Sequence, residues 1–227
     1  LIVSGSIGLG QVALDGEDIY WVEMRPSEGG RMVLVKHDPE GETVDVTPEP
    51  YSVRTRVHEY GGGAFLVHEE VVYFSNYSDQ RIYRQENGGE PQAITPDVEM
   101  RYADGCFDPA RNRIICVRED HTGEGEPVNC IVAVDALGKT EQQVLSEGSD
   151  FCSNPRISPD GTKLAWLTWD HPNMPWDGTF LLVASFNAQG LLGESQVVAG
   201  GRTESIFQPE WSPDNVLHYV SDRSGWW

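Results

Sequence analysis

Short runs of β-branched and aromatic residues alternate along this chain with clusters of Gly, Pro, Asp and Asn. No long stretch carries the 3.6-residue hydrophobic period of an amphipathic helix, so the pattern predicts many short strands. The runs recur. Ser158-Pro159-Asp160-Gly161-Thr162-Lys163 leads into Leu164-Ala165-Trp166-Leu167, and Asp108-Pro109-Ala110-Arg111-Asn112-Arg113 leads without a gap into Ile114-Ile115-Cys116-Val117. Ser212-Pro213-Asp214-Asn215 precedes Leu217-His218-Tyr219-Val220, Asp15-Gly16-Glu17-Asp18 precedes Ile19-Tyr20-Trp21-Val22, and His68-Glu69-Glu70 precedes Val72-Tyr73-Phe74. The anchors Ile19, Val72, Ile114, Leu164 and Leu217 lie 53, 42, 50 and 53 residues apart. A period of about 40–50 residues is that of a β-propeller blade.

Each unit has the chemistry of a blade. Pro presets φ, Asp bonds its own backbone and Gly accepts positive φ, so Pro-Asp-Gly makes a tight turn between a first strand and an apolar second one. A third strand follows (Met32-Val33-Leu34-Val35, Arg81-Ile82-Tyr83-Arg84, Cys130-Ile131-Val132-Ala133-Val134, Phe180-Leu181-Leu182-Val183-Ala184), then a polar turn and a short outer strand. Four strands make one blade. The fold expected is all-β, a β-propeller of about four and a half four-stranded blades at residues 9–48, 59–97, 101–146, 152–200 and, incomplete, 205–227. A β-sandwich would show similar strand density without the repeat. The fifth unit stops after two strands, so the chain is expected to be a truncated part of a larger propeller. Residues Ile2 to Ile7 could supply a closing strand. Otherwise the open blade edge, with Trp226 and Trp227 on it, should drive self-association.

Charge narrows the partners. Sixteen Lys+Arg against 36 Asp+Glu give a formal charge of −20. That excludes nucleic acid, which needs a basic surface, and disfavours an anionic membrane. No apolar run nears the roughly 20 residues that span a bilayer, and Leu1-Ile2-Val3 lacks the length and basic flank of a signal peptide. The expected location is the cytoplasm. Cys106, Cys116, Cys130 and Cys152 are spaced 10, 14 and 22 apart. No CxxC pair suggests zinc or thioredoxin-type redox chemistry, and reduced thiols are expected. The triplet Asn76-Tyr77-Ser78 fits a glycosylation sequon, but without an export signal it carries little weight.

Candidate chemistry is sparse. No GxSxG elbow occurs, so the chain offers no recognisable nucleophile, and no catalytic residue is assigned. His58-Glu59-Tyr60-Gly61-Gly62-Gly63 is the densest polar cluster. It reads either as a ligand site, where glycines let backbone approach closely, or as the inner strand of the second blade. Trp169-Asp170-His171-Pro172-Asn173-Met174-Pro175-Trp176-Asp177-Gly178 is a long connector. There Trp169, His171, Trp176 and Asp177 are loop-recognition candidates, or else aromatics sealing a gap between blades. Asn154-Pro155-Arg156 and Gln208-Pro209-Glu210 occupy equivalent inner-strand places. Arg156 and Glu210 either line a channel or form an inter-blade ion pair. Substrate-channel candidates are thus Glu59, Tyr60, Arg156 and Glu210. No metal site and no cofactor are expected.

Four segments together resemble the N-terminal propeller of the prolyl oligopeptidase family of serine peptidases, in its bacterial acylaminoacyl-peptidase and dipeptidyl-aminopeptidase-like branch. They are Val57-His58-Glu59-Tyr60-Gly61-Gly62-Gly63-Ala64, the run from Leu167 to Gly178, Gln208-Pro209-Glu210-Trp211-Ser212-Pro213-Asp214, and Val220-Ser221-Asp222-Arg223-Ser224-Gly225-Trp226-Trp227. The resemblance runs in order over essentially the whole chain. It implies a longer parent whose partner domain, a C-terminal α/β-hydrolase domain lying outside this sequence, holds the Ser-Asp-His triad. The propeller there restricts entry to small peptide substrates. The adjacent glutamates of dipeptidyl peptidases have no counterpart, since Glu69-Glu70 occupies a blade turn. The expected function is therefore non-catalytic substrate gating in a peptidase of acylaminoacyl or dipeptidyl type. A stand-alone scaffold for protein–protein interaction is the alternative. A propeller glycosidase is poorer, needing two carboxyls about 5–9 Å apart that one sequence cannot show.

Overall fold

The computed structural model describes residues 5–86 and 88–225. Residues 1–4, part of the closing strand considered above, and Trp226 and Trp227 lie outside the described residues. The described chain is all-β. Its first sheet holds β1 (Gly8–Asp15), β2 (Asp18–Arg25), β3 (Arg31–His37) and β4 (Thr43–Asp45), and its second holds β5 (Phe65–His68), β6 (Val71–Ser75), β7 (Ile82–Glu86) and β8 (Gln92–Ala93). The third holds β9 (Met100–Asp108), β10 (Arg113–Asp120), β11 (Val128–Asp135) and β12 (Gln143–Glu147). The fourth holds β13 (Phe151–Ile157), β14 (Lys163–Trp169), β15 (Phe180–Ser185) and β16 (Gln196–Gly200), and β17 (Ile206–Trp211) pairs with β18 (Leu217–Ser221). In every sheet spatial neighbours are sequence neighbours, the antiparallel meander of a propeller blade. No helix is long and apolar enough to cross a membrane.

The chain divides into two compact units, Leu1–Ala103 and Asp104–Trp227. In the first, Tyr20, Val22 and Leu34 of one sheet pack with Phe65, Val72 and Phe74 of the next, and Val53 of the connecting segment joins them. Only one face of β2 is covered, so its burial alternates: Tyr20 and Val22 are buried, Trp21 and Glu23 are not. In the second unit β14 is covered on both faces. Every residue from Leu164 to Trp169 is buried, as a continuous apolar run requires. Side chains of this size contribute about 1.5–3 kcal/mol each on full burial.

The turns follow from their residues. At Ser158-Pro159-Asp160-Gly161 the Gly161 N–H donates to Ser158 O (2.8 Å) and the Ser158 hydroxyl to Asp160 Oδ1 (2.6 Å). Ser158 Oγ in turn accepts the Lys163 N–H (2.9 Å). The hydroxyl of Ser158, then the Thr162 N–H and hydroxyl, hold the Asp160 carboxyl below its usual range. The Ser212 turn repeats the motif, with Asn215 N–H donating to Ser212 O at 3.0 Å.

Three of the first strands share a second feature. The register of β1, β13 and β17 slips at Gly10-Gln11, Asn154-Pro155 and Gln208-Pro209, each a β-bulge. Asn154 and Gln208 there take φ of 50° and 49°.

Candidate functional site

In the first unit, residues leading to the His58 turn alternate sharply: Val53, Thr55 and Val57 are buried, Arg54 and Arg56 exposed. The chain then reverses. His58 and Glu59 adopt φ of 54° and 66°, Glu59 N–H donates to Arg56 O (2.9 Å) and Gly61 N–H to Val57 O (2.9 Å). Gly61 sits at φ 92° with space for a Cβ only 3.1 Å from Thr55 O, so glycine is required there. The inner-strand reading of His58 to Gly63 is thereby corrected. Positive φ at two non-glycine residues breaks the strand, and β5 starts only at Phe65.

The turn presents Glu59 and Tyr60 together. The Glu59 side chain is 77% exposed, and its Oε1 receives Arg101 Nη1 at 2.6 Å. Arg101 also donates to Arg56 O (2.8 Å), tying the carboxylate to the turn's own backbone. Tyr60, 60% exposed, stands over a pocket of about 200 Å³ with Val22, Met32 and Val53 among its lining residues. Gln11 closes one wall: its amide donates to Phe65 O (2.6 Å) and accepts from Ala64 N–H (2.8 Å). Sequence reasoning missed Arg101, which lies 42 residues from Glu59 and carries no local motif.

In the second unit Arg156 and Glu210 come together as an ion pair, Arg156 Nε donating to Glu210 Oε1 at 2.8 Å. Of the two readings open for these residues, the pair is realised. Both follow a bulge, which turns the chain so that their side chains meet across β13 and β17. The Trp211 indole N–H donates to Arg156 O (3.0 Å), fixing the same corner. Burial would lower the Arg156 guanidinium, but hydrogen bonding to Glu210 prevails and holds it above its ordinary range. Asp104 Oδ2 accepts the Asn154 N–H (3.1 Å), a further link at the bulge.

The connector candidates divide. Trp169 is no loop residue: it ends β14, is 3% exposed and stacks on Phe151 at 5.4 Å, because the apolar run of β14 continues through it. His171 gives both its backbone N–H (2.8 Å) and ring Nδ1 (2.9 Å) to Asp150 Oδ2. Those two bonds hold the Asp150 carboxyl below its usual range. Asp177 Oδ2 caps the Met174 N–H (2.8 Å), and the Ser205 hydroxyl donates to Pro175 O (2.7 Å). His171 and Asp177 thus brace the connector, and Trp176 is left 63% exposed on it. Among the described residues no three His, Cys, Asp or Glu gather as metal ligands.

Similarity to solved structures extends over the entire chain. Puromycin hydrolase matches with a TM-score of 0.93 and 35% identity, over 100% of this chain and 38% of that one. A mutant of puromycin hydrolase complexed with PGG matches with a TM-score of 0.94 and 34% identity, over 100% and 38%. A puromycin-hydrolyzing peptidase of Mycobacterium tuberculosis gives 0.90 and 34%, over 100% and 37%. A structure described under two prolyl endopeptidases shares the fold alone, with a TM-score of 0.68 and 11% identity over 97% of this chain and 33% of that one. The chain therefore spans less than two fifths of the length of the first three. No family model matches it, and no curated protein does.

Proposed function

This chain belongs to the prolyl oligopeptidase family as its β-propeller part, and from that premise we propose that it gates a serine peptidase acting on small peptides and aminoacyl amides. Its own residues supply no nucleophile. Catalysis belongs to a Ser-Asp-His triad in an α/β-hydrolase domain of the same polypeptide, which the propeller screens from bulky chains. The observation that carries this reading is the full-length match, at 35% identity, to the corresponding region of puromycin hydrolase.

The first unit suggests how gating becomes recognition. Glu59 is an exposed carboxylate on a turn with little freedom, clamped by Arg101, beside an apolar pocket under Tyr60. A carboxylate so placed receives the free α-ammonium of an aminoacyl amide or dipeptidyl substrate. Puromycin is itself an aminoacyl amide with a free amine, and the chain's charge of −20 adds long-range attraction for such cations.

The test is kinetic, on the complete polypeptide the gene encodes. Aminoacyl and dipeptidyl chromogenic amides should be cleaved, and Glu59→Gln should raise KM for free-amine substrates about tenfold or more, with kcat changed far less. Acylated substrates should show no such rise. No hydrolysis of either class by the complete polypeptide would end the peptidase reading, and an equal rise for both classes would end the role of Glu59.

A further inference from the structure

Arginines of this chain such as Arg25, Arg113 and Arg156 sit on carboxylates, as expected where acidic residues outnumber basic ones. Arg54 and Arg56 depart from that. Neither has a carboxylate within 4 Å among the described residues, although the chain carries a charge of −20. Their guanidinium carbons lie 5.0 and 5.6 Å from the centroid of one ring, that of Tyr77, which is 40% exposed. Alternation puts them there: on an extended segment residues two apart share a face, and buried Val53, Thr55 and Val57 turn Arg54 and Arg56 outward together.

The segment is fixed from behind. Arg54 N–H donates to Ser75 O (3.0 Å), Arg56 N–H to Gln80 Oε1 (2.7 Å), and Tyr77 N–H to Ser52 O (2.9 Å). Two cations are thus carried on one backbone-fixed segment, each within 6 Å of the Tyr77 ring centroid, with no carboxylate in ion-pair contact with either among the described residues. Arg54 also lines the 200 Å³ pocket beside Tyr60, together with Val22, Met32 and Val53. Paired guanidiniums offer several N–H donors in planar forks, the geometry that a carboxylate accepts in bidentate fashion.

We propose that Arg54 and Arg56 bind the free C-terminal carboxylate of a short peptide whose neighbouring apolar side chain enters the adjoining pocket. The site rests on the peptidase reading for its ligand but on Arg54, Arg56 and Tyr77 for its chemistry. It makes the enzyme prefer peptides short enough to present their C-terminus here.

The experiment compares alanyl-alanyl-alanine with its C-terminal amide, using the complete polypeptide. The wild type should favour the free acid in kcat/KM by about tenfold or more, and the ratio should fall towards one in the Arg54→Gln/Arg56→Gln double variant. Arg54→Lys/Arg56→Lys should recover part of it, since charge is kept but the fork is lost. A ratio near one in the wild type overturns the proposal. So does a ratio the double variant leaves unchanged, including the case in which its Tm falls because these arginines pair with a carboxylate elsewhere in the polypeptide. If the polypeptide hydrolyses neither peptide, the chromogenic amides decide whether the peptidase reading stands. Calorimetric binding of the same acid and amide then decides the site, with equal affinities sinking it and tighter, arginine-dependent acid binding upholding it.

Discussion

Arg25 serves three carboxylates at once, through bonds to Asp45 (2.6 Å), Glu23 (2.9 Å) and Glu28 (3.3 Å). The bond from Arg25 holds the Asp45 carboxyl below its usual range. A carboxyl with a lower pKa folded than unfolded stabilises the fold above its unfolded value, about 3.9, and loses that contribution as pH falls through the folded one. Urea midpoints should therefore drop on acidification below about pH 4, and Asp45→Asn should flatten that drop while lowering the midpoint at neutral pH. An acid limb unchanged in the variant would place the effect elsewhere. The thiols give a second residue-scale prediction. All four cysteines are free, and burial lifts each one, Cys106 to about 11. Native protein at pH 7.5 should resist iodoacetamide, and four labels should appear by mass spectrometry only after denaturation. Cys116 was legible as a buried residue from its apolar neighbours Ile114, Ile115 and Val117.

At the scale of elements, second strands were legible wherever an apolar run followed a Pro-Asp-Gly-like turn, because turn chemistry and burial there point the same way. First strands were legible in part: Asn154-Pro155-Arg156 and Gln208-Pro209-Glu210 were placed on β13 and β17, but the second blade's first strand was set too early and the bulges were not foreseen. The bulges of β13 and β17 carry single residues at positive φ, Asn154 and Gln208, and the Asn154 N–H is met by Asp104 of the preceding sheet, a contact no local motif announces. For the same reason Glu59 and Tyr60 could be nominated from the glycine-rich motif, while their presentation on a turn and their clamp by Arg101 could not. Arg156 and Glu210, 54 residues apart, were legible as equivalents through the repeat, which is why their pairing was one of two open readings. Gly200 tests how rigidly an element is set. At φ 88° a Cβ would lie 2.0 Å from Thr179 O and 3.0 Å from an Ile206 side-chain carbon. Gly200→Ala combines left-handed strain with a backbone clash, and should destabilise the fold by about 2–5 kcal/mol in equilibrium urea unfolding. Gly16→Ala, also at positive φ but with open space around it, should cost about 1 kcal/mol, so the difference between the two reports the clash alone.

For the whole molecule, the repeat mattered more than any motif. Five anchors at near-constant spacing specified sheets that each need a neighbour, because a meander with two apolar faces cannot bury both by itself. The first sheet shows what an uncovered face looks like: Leu9 is 75%, Val12 65% and Leu14 69% exposed. The pair β17–β18 shows a second, with Phe207 51%, Val216 53% and Tyr219 41% exposed, and β18 has no further strand beside it among the described residues. Apolar side chains beside unpaired backbone groups are a template for another strand. The 227-residue polypeptide produced alone should therefore associate as its concentration rises, visible in light scattering as a mass above 25.2 kDa. Tyr219→Lys, which sets a charge on that edge pair, should shift the equilibrium towards monomer. On the proposed reading, in which the complete polypeptide adds further blades over both faces, that polypeptide should stay monodisperse over the same range. A monomer at every concentration for the 227-residue chain would mean that neither face is sticky enough to matter. Association by the complete polypeptide that persists in the Tyr219→Lys variant would locate the interface away from these sheets.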